Sequence, residues 1–265
     1  MLRSLSMLAT LAVLPLCGAT KVVVTVVEQK TGAPVTGLKA LDFTVSDDKV
    51  ERKVESAEYT KVMADIMLLV DTSLVGPVVQ PVAAKLIGQL QEKEQMALVS
   101  FHSSADLIQD FTSSREALLR ALGNVKYGNS PRMLDALYAA IDGGFQSSNF
   151  RRVILLLTTG LEGPSRMSER QVVRLARQNG VSIYPVFVGG YGRSLFESLA
   201  RQTAGAPFSL REMEREHVDD PSARIFEVIR NHYSLSVAGN LGLGEKFKIT
   251  VKYPRKTFVS ALPLE

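Results

Sequence analysis

Four largely apolar segments, taken in order, constrain the fold of this chain more than any other feature. They are DIMLLV, QMALVSF, RRVILLLTTG and VSIYPVFVGG, and helical patterns lie between them. Each segment is apolar on consecutive residues rather than on alternate ones, which is typical of a strand that is covered on both faces. Strands that alternate with helices in this way predict an α/β fold, with a doubly wound, mostly parallel, Rossmann-like sheet.

Apolar spacing and capping patterns predict the helices of this unit. Ser113 with Glu116, and Ser168 with Gln171, have the spacing of a capping box, which satisfies backbone N–H groups at a helix start. A further helix is expected over residues 76–93, directly after the first apolar strand. The segment ADLIQDF is expected to be a strand, with an antiparallel edge position as one option.

The regions before and after this unit have a purely β texture. The early segment KVVVTVVEQ is β-branched, and YSLSVAG, KFKITVKY and TFVSALP near the other end are strand-like as well. Because the two ends of a domain often lie close together, we expect these strands to pair into one small β module. The predicted organisation is a signal peptide over 1–19, an N-terminal β segment over 20–62, the α/β domain over 63–232, and C-terminal strands over 233–265.

The first residues resemble an export signal. Arg3 supplies an early positive charge, an apolar stretch runs over 8–16, and the segment closes on small residues up to Ala19. We expect cleavage after Ala19 and a protein that is periplasmic or secreted. A lipid anchor at Cys17 is the alternative, although the large Leu16 precedes the cysteine where a lipidation motif has a small residue. A buried N-terminal helix is a further reading, and the uninterrupted apolar stretch argues against it.

The composition excludes several classes of protein. Hydrophobic residues make up 46% and charged residues 22% of the chain, which is enough apolar material for a large core. The net charge of +4 is spread along the sequence without a block of Lys or Arg, so we expect no nucleic-acid partner. After the signal segment, no stretch is long and apolar enough for a transmembrane helix. Cys17 is the only cysteine, so the processed chain is expected to have no disulfide bond.

Several segments resemble the von Willebrand factor type A domain. They are LLVDTS, VSFHSSADLIQDFT, LDALYAAI and VILLLTTG, in the order and spacing of that family. The flanking segments VTVVEQKTGAPVTGLKALDFTVSDD and HYSLSVAG resemble the bacterial VWFA-related family known from acidobacteria. The resemblance implies a doubly wound fold and a role in binding another protein.

Type A domains commonly carry a metal-ion-dependent adhesion site, and the resemblance implies where its residues would fall. The family pattern is Asp-x-Ser-x-Ser after the first strand, a Thr before a helical Asp-Ala, and an Asp at a later strand tip. Asp71 and Ser73 match this pattern. The other three positions are occupied by Val75, Pro131 and Thr159. Because these replace most of the metal-binding oxygens, the site is predicted to be degenerate, and we expect no metal ion and no other cofactor.

The remaining oxygens leave a vestigial site. Mg²⁺ demands near-octahedral oxygen coordination, which one carboxylate and one hydroxyl provide poorly. Ser130 and Glu162 lie next to two of the lost positions and are potential substitutes. We therefore expect Asp71, Ser73, Ser130 and Thr159 to form the rim of a ligand-binding site. Binding of Mg²⁺ through Asp71 and Ser73 is the alternative.

The retained residues also have a purely structural interpretation. Asp71, at a strand end, is able to accept hydrogen bonds from the amides of the following turn. Ser73 has the residue type of a helix cap. Pro131 is of the type that begins a helix.

The functional prediction is an exported, non-enzymatic module that binds a protein partner in the cell envelope or outside the cell. An envelope hydrolase is the alternative from another class. It needs a convergent nucleophile, base and anion pocket, and a cluster of His102 with Asp71 and Ser73 would favour it. His102, His217 and His232 are too far apart in sequence for the spacing of a zinc site. The glycines before Arg193 have the composition of an anion-binding loop, but turn formation is the expected reason for them.

Overall fold

The structure is a computed structural model that describes residues 18–146, 148, 150–189, 192–241 and 247–264. Its strands are β1 (Ala19–Glu28), β2 (Phe43–Asp47), β3 (Val50–Arg52), β4 (Val54–Lys61), β5 (Ala64–Asp71), β6 (Gln95–Phe101), β7 (Ala105–Thr112), β8 (Arg151–Thr158), β9 (Val181–Phe187), β10 (Phe208–Ser209), β11 (Asn231–Ala238), β12 (Lys248–Val251) and β13 (Thr257–Leu264). Its helices are α1 (Gln80–Gly88), α2 (Arg115–Gly123), α3 (Met133–Gly143), α4 (Glu169–Gln178), α5 (Arg193–Gln202), α6 (Leu210–Arg215) and α7 (Pro221–Arg230). Short 3₁₀ turns cover Ala40–Asp42 and Gly76–Val79.

The central sheet has six strands in the order β10-β9-β8-β5-β6-β7. All neighbours are parallel except β7, which pairs antiparallel with β6 at the edge. The middle strand β5 is buried at every residue. Its alternate side chains pack under α1, α2 and α7 on one face, and under α3, α4 and α5 on the other. Burial on both faces explains the continuous apolar segments, and the predicted doubly wound α/β fold is confirmed.

The flanking strands form two further sheets. One has the order β13-β1-β11-β4, and the other has the order β12-β2-β3. Strand β1 is antiparallel to both β11 and β13, so the two ends of the described chain lie side by side. The core of this β module includes Tyr233, whose hydroxyl donates to Val35 O and accepts from Leu38 N, each at 3.0 Å. This one hydroxyl therefore holds the turn between β1 and β2 against β11.

The chain passes between the β module and the central sheet at two neighbouring connections. Strand β4 leads into β5 through Val62 and Met63, and helix α7 leads directly into β11. The two connections are hydrogen-bonded to each other, because Val62 N donates to Arg230 O at 2.8 Å. The amino ends of the central strands therefore face the β module, and their carboxyl ends face away from it.

Several predicted helix boundaries differ in the structure. The helix expected over 76–93 is a 3₁₀ turn followed by α1, which ends at Gly88. Helix α2 is capped by Ser114, whose side chain accepts from Ala117 N, and not by Ser113. Ser114 has the extended backbone that an N-cap needs, so the neighbouring serine takes the role. Helix α6 was not predicted, because its six residues are too few to show a helical period.

The predicted signal peptide lies almost entirely outside the described residues, as does Cys17. The described chain begins at Gly18, and Ala19 is the first residue of β1. Among the described helices, none combines the length and apolar character that a membrane span requires.

Candidate functional site

The carboxyl ends of β5 and β8 meet at Asp71. Because neighbouring parallel strands end at the same edge of a sheet, the last residue of β5 comes beside Thr158 and Thr159. The Asp71 side chain is completely buried. Its Oδ1 accepts from Ser73 N at 3.0 Å. Its Oδ2 accepts from Thr158 Oγ1 at 3.2 Å, Thr159 N at 3.1 Å and Thr159 Oγ1 at 2.8 Å.

These contacts make Asp71 the central acceptor of the strand tips. The hydrogen bond from Ser73 N is the local one that the sequence predicted, and the three from β8 and its following residue are not local. Thr72 connects β5 to β6 on its other side. Its N and Oγ1 both donate to Phe101 O, at 2.8 and 3.1 Å. The side chains of Asp71 and Thr72 therefore join the carboxyl ends of three neighbouring strands, β8, β5 and β6.

Ser73 differs from Asp71 in having no partner for its side chain. The residue is 2% exposed, and its Oγ makes no hydrogen bond with any part of the chain that the structure describes. The prediction that Ser73 caps the following helical turn is wrong. The N-cap of that 3₁₀ turn is Val75, because the chain continues for two further residues before it curls.

A loop over residues 127–132 lies across these strand tips. Gly128 N donates to Thr72 O at 2.9 Å, and Arg132 N donates to His102 O at 2.7 Å. Gly128 is also packed so closely that a Cβ at this position would lie 2.5 Å from His102 Nδ1. Only glycine fits there without displacing the histidine ring. The loop is therefore fixed by its backbone over the place where β5 and β6 end.

No described hydrogen bond joins the residues at the expected threonine position to Asp71. Ser130 is exposed, and none of the described hydrogen bonds to Asp71 comes from it. Pro131 is buried, and its carbonyl accepts from Gly163 N at 2.6 Å. The prediction that Pro131 is the first residue of its helix is wrong, because α3 begins at Met133 with Arg132 as its N-cap.

Glu162 is committed to the start of α3. Its carboxylate accepts from Ser165 Oγ at 2.7 Å and from the backbone N–H groups of Met133 and Leu134. Partial burial raises the pKa of Glu162, these hydrogen bonds oppose the rise, and the nearby Asp135 adds to it. A carboxylate at a helix N-terminus interacts favourably with the helix dipole. Glu162 therefore serves α3 rather than substituting for the lost aspartate beside Asp71.

The histidines do not form a catalytic or zinc-binding group. His102 lies at the strand tips, but its Nδ1 bonds to Ser103, through both N and Oγ. None of its described hydrogen bonds reaches Asp71 or Ser73, so the cluster that would favour a hydrolase is not formed by hydrogen bonds. His217 is exposed, whereas His232 is buried in β11. Within the described ranges, no group of three His, Cys, Asp or Glu residues is placed to hold a metal ion.

Arg193 is not available for an anion at the glycine-rich turn. It donates to Glu197 Oε1 at 2.8 Å and to Glu212 Oε1. These two carboxylates raise the pKa of Arg193, with Glu212 as the larger contributor. The turn interpretation therefore fits better, although Gly190 and Tyr191 lie outside the described residues.

Around the buried polar groups, the surface at the strand tips is apolar. Leu74 is 72% exposed and Val78 is 59% exposed. Val75, Tyr127 and Leu161 are exposed as well. Gly128 is bridged to Ser73 and Leu161 follows Thr159 closely, so these five residues belong to segments that meet at the strand tips. We call them the apolar rim. The sequence pattern presents Val75 only as the loss of a metal-binding hydroxyl. Its neighbour Leu74 is also apolar, and the two together already indicated an apolar surface at this position.

Comparisons with known proteins agree with this architecture. A family model described as the von Willebrand factor type A domain matches residues 65–219. Proximal thread matrix protein 1 from the mussel byssus is 18% identical with a TM-score of 0.54, and the match covers 74% of this chain and 51% of that one. A second structure of the mussel protein is 17% identical with a TM-score of 0.53, and the match covers 74% of this chain and 50% of that one. Its metal-ion-dependent adhesion site (MIDAS) motif is occupied by zinc.

A bacterial structure is similar over less of this chain. The aerotolerance-related membrane protein from Bacteroides fragilis NCTC 9343 is 12% identical with a TM-score of 0.50, over 63% of this chain and 98% of that one. At these identities the structural matches show the fold alone. A search of curated proteins found no match. The family model covers more than half of the sequence, and the chain therefore belongs to the von Willebrand factor type A domain family.

Proposed function

We propose that this chain is an exported, non-enzymatic module that binds a protein partner through the apolar rim without a metal ion. Type A domains are generally interaction modules, and this one has apolar side chains around the strand tips where a ligand would approach. The observation that carries the proposal is the exposure of Leu74 and Val78 in the segment that follows the buried Asp71. Exposed apolar patches of this kind mark sites of protein interaction.

The donor set beside Asp71 supports binding without a metal. Mg²⁺ prefers several oxygen ligands in near-octahedral geometry. Both oxygens of Asp71 already accept hydrogen bonds from Ser73, Thr158 and Thr159. Ser73 Oγ is a buried hydroxyl without a described partner, and Glu162 is engaged at α3. A single free hydroxyl beside a saturated carboxylate is a poor site for a divalent cation.

Metal-dependent binding through Asp71 and Ser73 is the second candidate. Two observations favour it: the unpartnered Ser73 Oγ in this chain, and the zinc-occupied motif in the mussel protein. It differs from the first candidate in its response to divalent cations, so one titration separates the two.

Addition of Mg²⁺ or Mn²⁺ at millimolar concentration is expected to leave the melting temperature of the processed chain unchanged, because the described residues around Asp71 do not complete an oxygen cage. Ser73→Ala is expected to be neutral or slightly stabilising, since it removes a buried hydroxyl that has no partner. Differential scanning calorimetry checks both results. A rise in melting temperature with Mg²⁺ that disappears in Asp71→Ala and in Ser73→Ala would establish the second candidate instead.

Leu74→Asp and Val78→Asp are expected to weaken partner binding by about tenfold or more, because a charge at the centre of an apolar contact must be desolvated. The measurement is affinity capture of envelope proteins on the processed chain, with and without EDTA. Leu119→Asp is the matched control, since Leu119 is 43% exposed and lies on α2, which contributes no residue to the rim. EDTA is expected to have no effect. Equal capture by the rim variants and the control would contradict the role of the rim.

Export rests on the sequence of the first 19 residues. The apolar stretch with small residues at its end supports cleavage after Ala19, with a lipid anchor at Cys17 as the alternative. Mass spectrometry of the processed N-terminus distinguishes these two outcomes, because a lipidated chain would begin at Cys17 with an added acyl mass. A full-length N-terminus in the cytosolic fraction would contradict export.

A further inference from the structure

We propose that a cavity between the central sheet and the β module binds a small organic anion with an apolar body. The cavity has a volume of about 840 Å³ and lies at the amino ends of β8 and β9. This is the opposite edge of the sheet from Asp71, so the site is separate from the apolar rim. Its volume is within the range of about 300–1,000 Å³ that is typical of small-molecule sites.

Positive charge dominates the polar lining of this cavity. The cations are Lys61, Arg151, Arg152 and Arg230, and the carboxylate in the wall is Glu94. Glu94 is fully engaged by Arg230, which donates from Nε to Oε1 at 2.8 Å and from Nη2 to Oε2 at 2.6 Å. These two charges cancel each other. The other three cations have no carboxylate partner among the described residues, and this excess favours an anion.

Arg151 is held in place by neutral groups. Its guanidinium donates to Ile229 O at 2.9 Å, Ser182 Oγ at 3.0 Å, Tyr184 Oη at 2.9 Å and Ala204 O at 3.2 Å. Carbonyl and hydroxyl oxygens orient the guanidinium without neutralising it. Asp65 lies near the amino end of β5, and its carboxylate accepts hydrogen bonds from Ser148 Oγ and Phe150 N. Arg151 is therefore a fixed positive charge at the cavity wall.

His232 supplies the second, independent observation. It lines the cavity, and only 8% of its surface is exposed. Its Nδ1 is buried and makes no hydrogen bond within the described part of the chain. Such an orphaned polar atom is destabilising unless something pairs with it. Burial and the charge of Arg151 lower the pKa of His232 to about 4, so the ring is neutral at pH 7. A neutral imidazole is able to donate one hydrogen bond to an anion from this position.

The remaining walls are apolar and come from both parts of the chain. Val23 and Leu262 belong to the β module, whereas Val62, Met63 and Phe150 flank β5 and β8. Met63 is 38% exposed and Phe150 is 39% exposed, so the apolar walls reach the solvent. A ligand that satisfies the whole cavity therefore needs an acidic head group and a hydrocarbon or aromatic body. Carboxylates and phosphate monoesters share this chemistry.

The test compares four probes by isothermal titration calorimetry on the processed chain. Octanoate and octyl phosphate have both features, inorganic phosphate has only the charge, and octanol has only the apolar body. We expect at least one of the two amphipathic anions to bind about tenfold or more tightly than phosphate and octanol. The tighter of the two identifies the head group. Equal binding of octanol would overturn the proposal, because the site would then be only apolar, and so would the absence of binding by both anions.

Variants locate the binding in the cavity. His232→Phe keeps the ring shape, and Lys61→Met removes a charge without disturbing the core, so the second variant decides the result if the first does not fold. Each is expected to weaken binding by about fivefold or more, whereas Lys126→Met, an exposed lysine on another surface, is expected to have no effect. Leu74→Asp at the apolar rim is also expected to have no effect, which separates this site from the proposed partner surface. Affinity that is unchanged in His232→Phe and Lys61→Met would exclude the cavity.

Discussion

Replacing Glu94 with Gln is expected to lower the free energy of unfolding by about 3–5 kcal/mol, because it leaves a buried guanidinium without its counter-charge. Glu94 is 1% exposed, and Arg230 is 8% exposed. Two hydrogen bonds at 2.8 and 2.6 Å join them. Arg230 also donates to Gln89 O at 2.7 Å, and Glu94 accepts from Gln91 N at 3.0 Å. The ion pair therefore fixes the segment between α1 and β6 to the end of α7, and its loss is expected to destabilise both segments.

Urea denaturation of both proteins measures this effect. The matched control is Glu116→Gln, which breaks the exposed ion pair of Glu116 with Arg120 at 3.9 Å and is expected to change stability by less than about 0.5 kcal/mol. The double variant Glu94→Met with Arg230→Met is expected to recover most of the loss, since no charge then remains buried. If Glu94→Gln is as stable as its control, the ion pair is not buried in solution.

The second large effect concerns pH and His232. The pKa of His232 is lowered from 6.5 to about 4 in the folded chain, chiefly by burial and further by the charge of Arg151. As the pH falls through about 6.5, the unfolded chain takes up a proton that the folded chain resists until about pH 4. The contribution of the neutral His232 to the free energy of unfolding is therefore complete above about pH 6.5 and is lost as the pH falls from about 6.5 to about 4. The expected loss is about 3 kcal/mol, because each pKa unit corresponds to about 1.4 kcal/mol.

His232→Phe is expected to remove this part of the pH dependence, since phenylalanine has no proton to take up. The free energy of unfolding is measured by urea denaturation at about pH 7 and about pH 4 for the wild-type chain and the variant. His217→Asn is the control, because His217 is exposed and asparagine tolerates its positive φ of 55°. Carboxylates contribute the same background to all three proteins. A wild-type chain and His232→Phe that lose equal stability would show that His232 is not buried as described.

The central sheet could be predicted because burial on both faces leaves a direct trace in the sequence. Strand β5 shows this best: its residues 66–70 are all apolar, and all are buried. Short or irregular elements leave no such trace. Helix α6 has six residues, and the end of α1 at Gly88 depends on the turn that places Glu94 against Arg230. Contacts between distant parts of the chain decide these boundaries.

The candidate site was predictable only in its position. The alternation of strands and helices brings Asp71 and Thr159 to one edge, and the hydrogen bond from Ser73 N to Asp71 is local. The commitment of Glu162 to α3 depends on the orientation of two loops, which no spacing in the sequence determines. The cavity beside His232 was beyond sequence reasoning for the same reason, because its walls extend from Val23 to Leu262.

The pairing of β1 has a consequence for how the chain folds. Its residues include VVVTVV, and they pair with β11 and β13 at the opposite end of the sequence. During synthesis, β1 emerges well before β11 and β13, and it remains without these partners until residues 231 and beyond have been made. Such long-range pairing slows folding, and an unpaired β-branched strand is prone to aggregation in the meantime. The β module therefore cannot be completed before β13 is made, and among its strands β1 waits longest for its partners.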